Sequence, residues 1–434
     1  MSFSRAGAAA CWLSIGVCLS GCGAGSSQEA DDHAPEASVQ EELSVGANWG
    51  QYRRSPRHTA FNPNEQQLTS SAVGSLRVLW SRASDARRLT QHGGRVFSSS
   101  RAAFDTTTGE QLWSREAARA TDYVAFNSGA LYRSGYGSGE EYSTDAIRVG
   151  DGAVRTTVRA TDESGYAPPL SKGPLVGISW IYGAWSFFAA ETFGALRLTP
   201  ATLEPGESGY PTGRVVHLGI NFDSRMAPAT ANDRWVVVGP GPAESGQSGS
   251  VGGPPWSGPF YARAFNVDGT LSWSTTVDEH IDPLAVPGVG PAIMMGHVIV
   301  PSGAGDAVLA LNERDGSVQW RTPVSGLAGP FAVTFEAVLV ASNAASGVVV
   351  SALSLATGEL QWQTTVGQGE LSGAIAVGAD VAYIGESDGS LYALSTQTGE
   401  LLKTISLGGA VTDPIVSDGR VFTGTRDRLV ALGL

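Results

Sequence analysis

The sequence predicts an all-β protein, an eight-bladed β-propeller closed by an N-terminal strand that completes the last blade. Three observations predict it. A hairpin phrase returns along the chain, at 103–113 (Ala-Phe-Asp-Thr-Thr-Thr-Gly-Glu-Gln-Leu-Trp), 309–320, 352–362 and 392–403, with a shorter form at 265–273. Each copy reads as a short apolar strand, a polar turn built on Gly, and a second strand ending in an aromatic or long residue. The spacing is that of a blade: Trp320 to Trp362 is 42 residues and Trp362 to Lys403 is 41, and a repeated hairpin unit of this size marks a propeller. Finally, the chain stops at Leu429–Leu432 where earlier copies go on to a turn and an outer strand. Leu76–Trp80 has the outer-strand pattern with no inner strands before it, so the two ends complete one blade and leave no open edge.

The elements follow in order. Residues 1–21 read as an export signal: Arg5, an apolar small-residue stretch from Ala6 to Val17, then Leu19-Ser20-Gly21 before Cys22. The apolar core is too short for a membrane-spanning helix. Residues 22–47 are rich in Gly, Ser, Ala and Glu with almost no large apolar side chains, the composition of a disordered tether. The propeller domain is expected over 48–434. Outer strands are expected to end near Trp113, Arg155, Val216, Trp273, Trp320, Trp362 and Lys403, which gives seven internal blades plus the shared one. Seven blades in all is the runner-up, because 155–216 is irregular. The clearest copy predicts an inner strand over Leu371–Val377, a second over Asp380–Gly385, a turn at Ser387–Ser390, a third over Leu391–Leu394 and an outer strand over Glu400–Lys403. Gly109, Gly316, Gly358 and Gly399 supply positive φ at the turns, and the recurring Trp is expected to pack between blades.

Three stretches break the repeat and are the expected places of contact with a partner. Ser134–Tyr142 inserts Gly, Ser and two Glu around Tyr136. Ile178–Phe188 is crowded with aromatics, including Trp185; it reads either as a strand packed on both faces or as a surface that meets a partner. Gly239–Pro259 is a Gly/Pro/Ser-rich loop carrying Trp256.

Composition removes several function classes. The net charge is −13, and loss of residues 1–21, which hold Arg5 and no acid, would make it −14. That argues against a nucleic-acid partner, which calls for a basic stripe. The three cysteines, Cys11, Cys18 and Cys22, all lie in the first 22 residues, so the body has none for a disulfide, zinc or thiol site. The six histidines, His33, His58, His92, His217, His280 and His297, show no paired metal spacing, and no Asp-x-Asp-x-Asp-Gly calcium loop is present. Asp278–Asp282 is the densest ligand-like cluster and reads as a solvated acidic loop. Gly385-Glu386-Ser387-Asp388-Gly389 fits Gly-x-Ser-x-Gly, but a strand follows it where a nucleophile elbow needs a helix. No catalytic constellation remains.

The phrase Ala-Leu-x-x-x-Thr-Gly-Glu-x-x-Trp resembles the repeat of the pyrroloquinoline-quinone-like β-propellers. The opening Trp49-Gly50-Gln51-Tyr52 with Arg57-His58-Thr59 is similar to that superfamily's lead-in. Leu19-Ser20-Gly21-Cys22 resembles the bacterial lipobox. By that resemblance Cys22 is the lipidated residue, and Gly23 after it leans towards the outer membrane, with the protein facing the periplasm or the cell surface. The superfamily includes quinone-dependent dehydrogenases, many of which use adjacent cysteines and a calcium ion bound by Glu, Asn and Asp. Without those cysteines or a calcium loop, the expectation is no quinone or calcium cofactor and no catalysis; the alternatives are a quinone-dependent dehydrogenase and a small-ligand-binding propeller. The lipobox, the eight blades and the Thr-Gly-Glu-x-x-Trp phrase also resemble the propeller lipoproteins of the outer-membrane β-barrel assembly machinery. That likeness implies a monomeric, lipid-anchored scaffold that binds envelope proteins, β-barrel assembly components among them.

Overall fold

A computed structural model describes residues 47–99, 101–115, 124–127, 129–136, 142–159, 170–172, 175–179, 184–189, 215–217, 228–232, 234–240, 259–266, 270–279 and 289–434. Cys22 and Trp256 lie outside the described residues. Within them the protein is all-β, with one 3-10 turn at Val73–Ser75 and no α-helix.

Among the described residues the strands form eight sheets of four antiparallel strands, one of which gains a short parallel fifth. Numbered along the chain, sheets 1 to 7 span 89–114, 124–159, 170–217, 229–278, 292–323, 332–366 and 376–406. Sheet 8 joins the two ends of the chain. Its first three strands are Ile415–Ser417, Arg420–Gly424 and Arg428–Gly433, and its fourth is Arg77–Ala83, in register from Arg77 opposite Gly433 to Ala83 opposite Arg428. The expected partner of Leu76–Trp80 is therefore the observed one, with the strand running three residues further. All seven expected outer-strand positions also fall in or at fourth strands of their sheets.

Burial follows position in the sheet. Val381–Gly385, a second strand, is buried throughout, because its two faces meet neighbouring sheets. Fourth strands are exposed on alternate residues; in Val318–Pro323 only Trp320 is buried. Their free edges are not flat. Register shifts recur at Val78/Trp80, Val154/Thr156 and, opposite the fourth strands, Ala103/Phe104, Ala264/Phe265, Ala310/Leu311, Ala352/Leu353 and Ala393/Leu394. A bulge at the same place in these outer strands twists the edge and blocks pairing with another chain.

The recurring Trp and Gly are two halves of one lock between consecutive sheets. Gly358 has φ +72, and a Cβ there would lie 2.6 Å from the Trp320 ring of the preceding sheet. The Trp320 indole donates to the Leu355 carbonyl at 2.9 Å, and Thr322 Oγ1 donates to the Gly358 carbonyl at 2.6 Å. Only Gly satisfies both the backbone angle and the ring contact. The arrangement repeats with Trp80 on Gly109, Trp113 on Gly152, Trp273 on Gly316 and Trp362 on Gly399. Each indole donates to a hairpin carbonyl in the next sheet: Thr106, Val149, Glu313 and Thr396 respectively. Lys403 replaces Trp at the junction of sheets 7 and 8, where its ammonium donates to the Gly74 carbonyl at 2.8 Å.

One boundary differs from expectation. The inner strand of sheet 7 is Ala376–Gly378, not Leu371–Val377. Leu371 still bridges Glu386 and the Ser372 amide donates to the Gly385 carbonyl, but the strand is interrupted after them: Ser372 Oγ donates to the Val411 carbonyl, and the Ala374 amide donates to Asp413 Oδ1 at 2.8 Å.

Candidate functional site

The residues ahead of the first full strand form the most unusual feature. Segment 49–62 bonds in chain order to the innermost strands of sheets 1, 2, 4, 5, 6 and 7. The Trp49 amide donates to the Gln91 carbonyl at 3.0 Å and the Gln91 amide returns to Trp49 at 2.8 Å, on sheet 1. The Gly50 carbonyl then accepts from Phe126 on sheet 2, Pro56 from Thr230 on sheet 4, Arg57 from Ile293 on sheet 5, Thr59 from Val333 on sheet 6 and Ala60 from Val377 on sheet 7, all at 2.7–2.9 Å. Phe61–Asn62 adds to the inner strand of sheet 7 as a parallel fifth strand. Asn62 Nδ2 donates to the Val416 carbonyl of sheet 8 at 2.8 Å.

Elementary bookkeeping of peptide groups explains the strap. An innermost strand pairs on one side only, so its inward N–H groups need acceptors. The strap's carbonyls are those acceptors. To face successive sheets the chain must turn sharply, and Arg53, Arg54, His58 and Ala60 all have positive φ. The side chains are enclosed: Arg54, Arg57 and Thr59 are 0% exposed and His58 is 1% exposed. The Arg53 guanidinium lies over the Phe331 ring and donates to the Phe331 carbonyl, and Tyr52 meets His58 edge to face. Burial pushes the Tyr52 phenol above its ordinary range. The sequence marked this segment only as a lead-in. Its signal was a run of Arg, Ser, Pro and His between a tether and a strand, with no hairpin partner of its own.

Two carboxylates are held by backbone donors near this region. Glu65, 2% exposed, accepts from the amides of Gln67, Leu68 and Gly419. Glu386, 0% exposed, accepts from the Gly369 amide and the Tyr392 hydroxyl. Both are saturated with donors in structural turns, an arrangement that orders loops rather than one that awaits a substrate.

The sequence-expected positions are scattered. Tyr136 pairs with Tyr142 at the end of the second–third hairpin of sheet 2, and Trp185 pairs with Val216 in sheet 3. The loop carrying Trp256 joins the second and third strands of sheet 4, whose described ends are Pro240 and Phe260. In a four-stranded meander, second–third hairpins and sheet-to-sheet linkers emerge at the same end, and the described strand ends Tyr136/Tyr142 and Pro240/Phe260 are second–third ends of their sheets. Asp278 is a latch: it pairs with Arg321 at 3.0 Å and accepts from the Gly303 amide. His280 and Asp282 lie outside the described residues. Ser387 sits in the turn between the second and third strands of sheet 7, its Oγ accepting from the Glu370 amide at 3.0 Å. No group of three or more His, Cys, Asp or Glu is arranged to hold a metal among the described residues.

Comparison with known proteins agrees with the repeat. Residues 345–432 match the family model described as outer membrane protein assembly factor BamB. A stretch of 184 residues, 38% of this chain, is 29% identical to the BamB of Yersinia pestis and spans 44% of that protein. The chain therefore covers less than half the length of this curated relative. Among solved structures, BamB from Moraxella catarrhalis aligns with a TM-score of 0.57 at 16% identity, over 83% of this chain and 98% of that one. A quinohemoprotein alcohol dehydrogenase from Comamonas testosteroni aligns with a TM-score of 0.62 at 13% identity, over 92% and 84%. At these identities the structural likeness concerns the fold alone, a β-propeller. The chain carries a pyrroloquinoline-quinone-like propeller similar to BamB.

Proposed function

We propose that the protein is a lipid-anchored scaffold of the bacterial outer membrane that binds envelope proteins and takes part in outer-membrane protein assembly, without catalysis of its own. The observation that carries this is the match of residues 345–432, the most regular part of the repeat, to the BamB family model. Eight four-stranded sheets, with Arg77–Ala83 completing the last, support a single eight-bladed ring closed by the two chain ends. Cys22 carries the lipid, and the body faces the periplasm or the cell surface as a monomer.

The reading includes no quinone, calcium or other cofactor. Its support is the strap: a chain segment, tied by its carbonyls to the innermost strands of six sheets, occupies the position around the axis where a central ligand would meet those strands. Partner contact is assigned to the inserted hairpins of sheets 2 and 4, with Tyr136, Trp185 and Trp256 as candidate aromatic anchors.

Crosslinking in the intact envelope, followed by identification of captured proteins, tests the scaffold reading. Capture of β-barrel assembly proteins is expected. Recovery of none, together with stoichiometric uptake of quinone and calcium and dye-linked alcohol oxidation, would replace it with the dehydrogenase reading. A Cys22→Ser protein that still fractionates with the membrane would remove the anchor.

A further inference from the structure

An open cleft of about 1020 Å³ lies at the seam where sheet 8 meets sheet 1. Five segments line it, four of them carrying arginine. The closing strand contributes Arg82, the linker to sheet 1 Arg87, the second–third hairpin of sheet 1 Arg101, and the corresponding hairpin of sheet 8 Arg426 and Arg428. The backbone of Gly408 and Gly409 forms its floor on the side of sheet 7. Five guanidinium groups against two carboxylates, Asp85 and Asp427, leave a local charge of +3 in a chain whose net charge is −13.

Three of the arginines, Arg82, Arg426 and Arg428, meet no carboxylate in an ion pair among the described residues. Asp85 is taken by Arg87 in a two-pronged pair, the closest contact being 2.5 Å. Arg82 spends its donors on the carbonyls of Gly109, Thr108 and Ser81, so its charge meets no carboxylate among the described residues. Arg426 and Arg428 are exposed and make no side-chain hydrogen bond or ion pair among the described residues. A Cβ on Gly408 would lie 3.9 Å from Arg428 Nη2, so that guanidinium reaches across the glycine backbone. The Debye length at physiological ionic strength is about 8 Å, so a ligand in the cleft responds to these groups rather than to the distant acidic surface.

We propose that this cleft binds an acidic, extended peptide segment of a protein partner. Guanidinium groups recognise carboxylates through paired N–H donors. Charges spread over four segments suit several carboxylates along a chain better than one compact anion. The inference goes beyond the scaffold reading and holds whether or not the partner belongs to β-barrel assembly.

The test is fluorescence anisotropy of a labelled octaglutamate peptide titrated with the full-length protein. Saturable binding is expected, weakened about tenfold or more by Arg426→Glu with Arg428→Glu and weakened further by added salt. Arg314→Glu, an exposed charge in a third–fourth hairpin at the opposite end of sheet 5, is expected to leave it unchanged. Absence of binding, or equal loss from Arg314→Glu, overturns the proposal. So does displacement of the peptide by inorganic phosphate at equal anion concentration, or a preference for vesicles of anionic lipid, since either would assign the cleft to phosphate groups. Crosslinking that fails while the peptide binds would reject only the assembly role.

Discussion

Sheets 5 to 8 and sheets 2 to 4 are built from the same repeat but fastened differently. In the first group each junction carries the Trp-on-Gly lock or its lysine substitute: Trp273 on Gly316, Trp320 on Gly358, Trp362 on Gly399, then Lys403 on Gly74. In the second group the position after the outer-strand bulge of sheet 2 holds Thr156, and the fourth strand of sheet 3, Val215–His217, contains no Trp. The long inserted loops fall in this second group. The lock demands a third–fourth turn of fixed length with Gly at one position, so that hairpin cannot grow. The insertions of sheets 2 and 4 fall instead in second–third hairpins, which the lock does not touch, and they are the expected sites of partner contact. Stability and contact are thus assigned to different hairpins.

The largest way to break the contrast is at the seam of the two chain ends. Deleting residues 70–82 removes the fourth strand of sheet 8, the Trp80 lock on sheet 1 and the Gly74 acceptor of Lys403. Loss of cooperative thermal unfolding is expected. A truncated protein that melts like the full chain would refute the closure. The next effect is local. Trp320→Ala removes a nearly buried ring and its hydrogen bond, for an expected loss of ~3–5 kcal/mol by chemical denaturation. Gly358→Ala puts a Cβ 2.6 Å from the same ring at φ +72, and about 1–3 kcal/mol is expected. Because the two residues form one contact, their costs should combine to less than the sum. Additive losses would mean that the ring and the turn act independently.

Much of the fold was legible because its signals are local. Asp105, whose side chain accepts from the Thr107 and Thr108 amides, together with Gly109 spells a turn within five residues. Trp320 is the single buried residue in an exposed strand, so alternation reveals it. The pairing of Arg77–Ala83 with Arg428–Gly433 was legible from an outer-strand pattern at Leu76–Trp80 with no inner strands beside it. The strap was not legible, because its bonds run from backbone carbonyls to six distant sheets and leave no period in the side chains. Its burial of Arg54 and Arg57 runs against the ordinary preference of those residues. The arginine cleft was hidden for a related reason: residues 82, 87, 101, 426 and 428 come together only when the ends of the chain meet. The inner-strand boundary of sheet 7 failed by a few residues where the Asp413 carboxylate captured the Ala374 amide and Ser372 turned its hydroxyl to the Val411 carbonyl.

The smallest effect sharpens the role of the strap where it meets sheets 1 and 2. His92 stacks on Phe126 with ring centroids 3.3 Å apart, beside Gly50, whose carbonyl holds the Phe126 amide. Burial lowers its pKa from the ordinary 6.5. The folded protein therefore binds this proton less readily than the unfolded chain. The sign follows: the contribution of neutral His92 is fully present above pH 6.5 and is lost as the pH falls through that value towards the folded pKa. A His92→Phe protein keeps an aromatic stack and loses the titration. Its melting temperature is expected to fall less steeply than that of the parent between pH 7 and pH 5, with the two curves parallel above pH 7. Parallel curves throughout would show that protonation of His92 meets no resistance at the entry of the strap, and that the stack is loose where the fastening of sheet 1 to sheet 2 requires it to be tight.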